Sequence, residues 1–172
     1  MTSGVMPTIG CVFNDLRFSF WAILRHGARS RAAEAGIMLR DAAAGDTLEQ
    51  GELIADMLRQ RVQALVIGPA HDTEIFQAHL ELARAARVPV IEVDGGIRAG
   101  PVSGTVRADE RHGLTNLADA LVSHCGSAFR IGLIAGPQNR RAAVMAEVLS
   151  QYADVRVVAT VTGEWTRESG RR

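Results

Sequence analysis

The run Thr8-Ile9-Gly10-Cys11-Val12-Phe13, broken by Asn14-Asp15 and followed by Leu16-Arg17-Phe18-Ser19-Phe20-Trp21, governs how the rest of the chain is read. A short, almost wholly apolar run without polar alternation describes a strand covered on both faces, as in a parallel sheet. Asn14 and Asp15 end it, because short polar side chains bond to nearby backbone and favour turns. Ser19 offers a helix N-cap. The spacing predicts a helix to about Ala35, with Ile23, Ala28, Ala32 and Ala35 on its apolar face and Gly36 as its stop.

The same strand-and-helix unit recurs downstream. Ile37 to Leu39 predict a second strand, and Asp46 or Thr47 caps a second helix carrying Leu48, Ile54, Met57 and Leu58. Ala64 to Ile67 predict a third strand closed by Gly68-Pro69. Asp72 or Thr73 caps a helix through about Ala86, and Val88 to Val93 predict a fourth strand ending at Asp94. Such alternation is the signature of right-handed βαβ units, so the expected fold class is α/β, a Rossmann-like parallel sheet flanked by helices.

The stretch Gly95 to Gly104, rich in glycine and holding Pro101, is the expected lobe boundary. It divides the chain into a disordered N-terminus (residues 1–7), a first α/β lobe (8–101) and the start of a second, incomplete lobe (102–172). In the second lobe the predicted order is strand Val102 to Val106, helix Asp109 to Ser123, strand Ile131 to Ala135, helix Arg140 to Tyr152 and strand Val155 to Val161, then a polar tail. A sheet of about three strands is below the usual four to six, so a partner supplies the rest or the sequence is a truncated piece.

Composition narrows the function classes. The 172 residues hold 19 basic and 19 acidic side chains, which leaves no excess positive field for a nucleic-acid backbone. A hydrophobic fraction of 47% with 22% charged residues is that of an ordinary globular chain. No segment approaches the roughly 18 consecutive apolar residues of a membrane span, and residues 1–10 lack the basic-then-apolar pattern of an export signal. Cys11 and Cys125 read as structural thiols. The histidines His26, His71, His79, His112 and His124 form no HExxH pattern and no CxxC pair exists, so no metal is expected. A nucleophile elbow, a phosphate loop and a dinucleotide fingerprint are likewise missing, and neither catalysis nor a cofactor is expected.

Ligands of open α/β sheets bind beyond the carboxyl ends of the strands. After the first strand stand Asn14 and Asp15 with Phe18, Phe20 and Trp21, in a chain that has only five phenylalanines, two tryptophans and one tyrosine. Aromatic faces stack on the apolar surface of a ring while amides and carboxylates take its hydroxyls, which is how a small polar ligand is gripped. The competing reading has Phe20 and Trp21 anchoring the helix in the core. After the fourth strand, Asp94 can accept two hydroxyl hydrogen bonds or fix the glycine turn behind it. Gly136-Pro137-Gln138-Asn139-Arg140-Arg141 follows a strand and opens a helix, making Arg141 a candidate cationic contact, unless both arginines simply face solvent.

The opening Ile9 to Asn14, the aromatics Phe18 to Trp21 and Gly27 resemble the type I periplasmic sugar-binding proteins, and the effector domains of LacI-type regulators are similar there. The resemblance continues through Gly36, Glu49-Gln50, Val62 to Pro69, Val88 to Asp94, Asp109, Gly113 and Arg130 to Pro137, and covers Thr8 to about Gly170. It implies a small polar ligand such as a sugar, held between two lobes for uptake with an ABC permease or for sensing with a kinase. It also implies that Asn14, Phe20, Trp21 and Asp94 line the first lobe's side. The implied location is the periplasm or cell envelope; the cytoplasm follows if the sequence is complete, since no export signal is visible. The family usually carries proline at Ser19, asparagine at Phe18 and arginine at Gly95. Its early helix arginine aligns with Val144, leaving Arg140 or Arg141 to substitute. Leu16 to Trp21 and Gly136 to Arg140 are also similar to the periplasmic partners of TMAO-sensing kinases, and a LacI-type role needs a DNA-reading helix-turn-helix that this sequence lacks. With the family's later βα units expected beyond Arg172, weak or no ligand binding by this chain alone is anticipated, because closure around the ligand supplies the selectivity.

Overall fold

The computed structural model describes residues 6–71, 73–97, 100–137 and 140–171. The chain divides into two compact units, the first ending at Arg107 and the second beginning at Ala108.

The first unit contains β1 (Thr8–Phe13), α1 (Ser19–Ala35), β2 (Met38–Ala43), α2 (Thr47–Arg59), β3 (Ala64–Ile67), α3 (Glu74–Ala85), β4 (Val90–Val93) and β5 (Gly104–Val106). Every pairing is parallel and the strand order is β2-β1-β3-β4-β5. This is the expected α/β sheet with helices on both faces. Alternation along β1 explains why it is apolar throughout: Val12 packs with Ile54 and Met57 of α2, Leu65 and Ile67 of β3, and Phe76 and Leu80 of α3. Cys11 and Phe13 turn to the other face and pack with Trp21, Leu24 and Ala28 of α1. Burial, with the charge of Asp41 second, pushes the Cys11 thiol up to about 12, so it is an inert core group, whereas Cys125 is exposed.

Several expectations are corrected. Ser19 does not cap α1; Phe18 holds the N-cap position without a side-chain hydrogen bond. The buried face of α1 is Trp21, Leu24, Ala28 and Ala32, while Ile23 is 69% exposed and Ala35 is exposed. The helix is rotated because the largest apolar side chain, Trp21, takes the core position and the others follow at helical spacing. The second strand is longer than expected, reaching Ala43 through the charged pair Arg40-Asp41. As an edge strand, β2 can leave Arg40 exposed, and Asp41 is satisfied by Arg25 and Arg29 of α1. Asp46 and Thr73 are the helix caps, accepting from the Glu49 and Phe76 N–H groups at 2.9 and 3.2 Å; Asp72 lies outside the described residues.

Residues 1–5 of the expected disordered start also lie outside the described residues. Pro7 is already engaged, its carbonyl accepting from the Met38 N–H at 2.9 Å in line with the β1–β2 ladder.

The strand placed at residues 102–106 does not open the second lobe. It is β5, hydrogen-bonded to β4, and it carries the first unit past residue 101 to Arg107. The glycine-rich stretch is thus a crossover within one sheet, and local composition could not distinguish it from a linker.

The second unit contains α4 (Glu110–Cys125), β6 (Ala128–Ala135), α5 (Arg140–Leu149), β7 (Asp154–Thr162) and a final 3-10 turn at Ser169–Arg171. Asp109 caps α4 by accepting from the His112 N–H at 3.0 Å. β6 and β7 form a parallel two-stranded sheet with a bulge between Ile131 and Gly132. Its core is Ala118 of α4, Met145, Val148 and Leu149 of α5 and Val155 of β7, with Phe129, Ile131 and Leu133 against it. Ile134, Val158 and Val161 of the same strands are exposed.

Candidate functional site

Because all strands of the first sheet are parallel, the carboxyl ends of β1, β3 and β4 open on one edge, where Asn14, the loop Gly68–Ala70 and Asp94 stand. Asn14 is half-buried. Its Nδ2 donates to the Pro69 carbonyl at 3.2 Å, and its Oδ1 accepts from the Asp15 N–H at 2.6 Å. A Cβ built on Gly96 would lie 3.4 Å from the Pro69 ring. Asn14 and Asp94 therefore share the rim, with the β3 loop seated between them and Pro69 approached from both sides.

Asp94 adopts φ 74°, a left-handed conformation that aspartate tolerates better than most residues, and Gly95 follows at φ 80°. Its N–H donates to the Val106 carbonyl at 2.9 Å, and this places Asp94 at the turn off β4. A residue the sequence reading passed over also holds the glycine turn. Glu92, buried under the turn, accepts from the Ile97 N–H at 2.6 Å and from Thr105 Oγ1 at 2.9 Å. A charged residue inside an apolar strand is the signal that could have found it.

The two readings of the aromatics are split between neighbours. Trp21 is 8% exposed and lies against Gly68, where a Cβ would sit 2.2 Å from its ring; it is a core anchor. Phe20 meets it edge to face at 4.9 Å between centroids and is 47% exposed, and Phe18 is exposed as well. Of these three aromatics, the two phenylalanines are the ones exposed to solvent.

Asp15 turns to a different partner. It accepts from the Arg17 backbone N–H at 2.9 Å and from Arg17 Nε at 2.8 Å. The hydrogen bonds from Arg17 hold its carboxyl below the usual carboxylate range. With Leu16, Arg17, Ala43, Ala44, Gly45 and Glu49 it lines an open depression of about 500 Å³ on the β2 side of the rim. Asn14, by contrast, faces β3.

In the second unit, Arg141 Nε and the Arg140 guanidinium each donate to Glu110 Oε1 at 2.8 Å. Burial would raise the Glu110 carboxyl, but the hydrogen bonds and charges of the two arginines outweigh it and hold it low. Arg141 is thus a tie between the starts of α5 and α4, not a purely solvated side chain. The carboxyl end of β6 also carries an aromatic that the sequence reading dismissed as polar tail. Trp165 is 64% exposed, with its ring where a Cβ on Gly136 would fall. Gln138 and Asn139 lie outside the described residues.

Among the described residues there is no cluster of His, Cys, Asp and Glu able to hold a metal, and no helix long and apolar enough to cross a membrane.

A parallel sheet with a polar, partly aromatic carboxyl rim is shared by many proteins, and comparison with known families decides among them. The family model described as periplasmic binding protein domain matches residues 9–172. The chain belongs to the periplasmic binding protein domain family. Within that family it is similar to the ribose import binding protein of Bacillus subtilis, 28% identical over 131 residues, which is 75% of this chain and 42% of that protein. The xylitol-binding protein of Mycolicibacterium smegmatis is 20% identical over 133 residues, 74% of this chain and 38% of that protein. The chain thus spans less than half the length of either relative. Among solved structures, the binding component of an arabinose ABC transporter from a Shewanella species, bound to L-arabinofuranose, superposes with a TM-score of 0.85 at 22% identity, over 95% of this chain and 57% of its own. A solute-binding protein of Actinobacillus succinogenes with bound D-allose gives 0.83 at 22% identity, over 95% and 61%. These structural likenesses establish the periplasmic binding protein fold.

Proposed function

We propose that this chain contributes to a receptor for a small polyhydroxylated solute, a sugar or sugar alcohol, serving uptake through an ABC permease in the periplasm and performing no reaction on its ligand. The observation that carries the reading is the rim of the first sheet, which brings the Asn14 amide and the Asp94 carboxylate to one edge with the exposed rings of Phe18 and Phe20 at the start of α1. The relatives named for ribose, xylitol, arabinose and allose support the ligand class.

The roles follow from chemistry. Asp94 accepts from neighbouring hydroxyls, and a charged acceptor makes the stronger kind of hydrogen bond. Asn14 spends one N–H and one lone pair on the rim, leaving one of each for the ligand. Phe18 and Phe20 cover the apolar face of the solute. Asp15 is proposed as an outer polar contact held by Arg17, and Arg141 as the cationic contact of the second unit, its plane fixed by Glu110. Trp21 supports the rim from beneath.

Titration with D-ribose, L-arabinose, D-allose and xylitol, followed by backbone NMR shifts, tests this. One of them is expected to move the amide signals of Asn14, Ala70 and Asp94 with a Kd in the millimolar range, and Asp94→Ala is expected to abolish the response. If no solute moves the rim signals, either in this chain or in a chimera that joins it to the later βα units of a sugar-binding relative, the receptor assignment is wrong.

A further inference from the structure

Gln50 of α2 has no exposed surface, yet both N–H groups and the oxygen of its amide are engaged, and each partner belongs to the rim. Nε2 donates to the Phe13 carbonyl at 3.1 Å and to the Gly68 carbonyl at 3.0 Å, while Oε1 accepts from the Ala70 N–H at 2.8 Å. Phe13 is the last residue of β1 and immediately precedes Asn14. Gly68 and Ala70 flank Pro69, whose carbonyl takes the Asn14 side chain. The Phe13 carbonyl also accepts from the Ala44 N–H at 3.0 Å, which brings in the end of β2. One buried amide thus ties the residue before Asn14 to both residues around the acceptor of Asn14.

A core position of this kind is ordinarily apolar, because an amide taken out of water gains nothing unless all its partners are supplied. Here three are supplied by backbone groups at the strand ends: the Phe13 carbonyl, which it shares with the Ala44 N–H of the β2 edge, and the Gly68 carbonyl and Ala70 N–H, which lie past the last paired residue of β3. We propose that Gln50 is a positioning residue of the solute site: it sets the separation of the Asn14 loop and the Gly68–Ala70 loop before a ligand arrives, so that binding does not have to order them. This inference rests on the receptor reading for its functional meaning, and its geometric part stands apart from it.

The test uses the 172-residue chain, its Gln50→Met variant, which keeps the volume and removes the hydrogen bonds, and Asn14→Ala, which removes the Asn14 bonds to Pro69 and Asp15 and leaves those of Gln50 in place. Site-resolved amide exchange and the side-chain NH2 resonances of Asn14 are followed by NMR. In Gln50→Met, exchange of the Ala70 amide is expected to rise by about tenfold or more, as loss of one buried hydrogen bond allows. The Asn14 NH2 signals are expected to move, while Cys11, Val12 and Leu65 keep native protection. Asn14→Ala is expected to leave Ala70 protected. Unchanged Ala70 and Asn14 signals, or protection lost equally through β1 and β3, would overturn the proposal. Should Gln50→Met fail to fold, the native chain decides: the Gln50 NH2 protons are expected to exchange far more slowly than free amides, and exchange at the free rate would overturn it. D-ribose and xylitol are then titrated against both proteins, with affinity expected to fall about tenfold in Gln50→Met. Unchanged affinity overturns the positioning role. If neither the native chain nor that chimera binds either solute while the exchange pattern holds, the receptor reading fails and the loop-setting geometry of Gln50 remains.

Discussion

Trp21 and Phe20 are adjacent aromatics with different fates, and the difference is measurable. Trp21 fills the space that Gly68 leaves by having no side chain, so Trp21→Ala is expected to cost about 3–5 kcal/mol of stability. Phe20→Ala removes only an edge contact and is expected to cost about 1 kcal/mol or less while weakening solute binding. Urea unfolding of the two variants, with a solute titration beside it, separates the roles. Asp41 makes a prediction with a sign. Burial pushes its carboxyl up, but the hydrogen bonds of Arg29 and Arg25 and their charges outweigh this and hold it below its ordinary value. A depressed folded-state value means that the pair adds stability above the unfolded-state pKa of about 3.9, and that this is lost as pH falls through the lower folded value. Asp41→Asn is therefore expected to cost about 1 kcal/mol at neutral pH, a modest figure because Arg29 is exposed and screened, and distinctly less near pH 2. Thermal melts at both pH values check it, and an equal loss at both would remove the ion pair as the cause.

At the level of elements, the helix starts show how far local rules reach. Asp46 caps α2 as its side chain dictates, and Asp46→Ala is expected to cost about 1 kcal/mol. Ser19 looks like a cap in the sequence but sits one position inside α1, so Ser19→Ala is expected to change stability by no more than about 0.5 kcal/mol. Urea midpoints at constant slope would measure both. The turn Asp15 to Phe18 moved the start: the Phe18 N–H donates to the Asp15 carbonyl at 3.2 Å, and the Trp21 N–H to the Phe18 carbonyl at 3.0 Å. Helix α1 thus begins at the position its packing demands. β2 likewise outran its apolar signal because partners on α1 satisfy Asp41.

For the whole molecule, the two units differ in how well they cover their sheets. The first has five strands with apolar clusters on both faces. The second has two parallel strands among its described residues, with Ile134, Val158 and Val161 exposed. Parallel sheets are stable when buried on both faces, so the amides of β6 and β7 are expected to exchange faster than those of β1 and β3 under native conditions. Equal protection in the two units would contradict this difference. The location of the boundary belongs to this scale too. β5 joined the first sheet through pairing with β4, a contact that no composition of Gly95 to Gly104 announces.

Read alone, the amino-acid sequence determined the α/β class, the parallel arrangement, four of the five strands of the first sheet, and the short set of strand-end residues from which the proposed site is drawn. These are legible because apolar runs, caps and glycine stops act over a few neighbours in the chain. Only the tertiary structure decided that Trp21 is core and Phe20 is surface, that Asp15 belongs to Arg17 while Asn14 belongs to Pro69, that Gln50 and Glu92 hold the rim from inside, and that Trp165 lies on Gly136. The physical reason is that each of these depends on which backbone groups are left without a strand partner and which gaps a glycine opens, and such vacancies exist only once the strands are side by side.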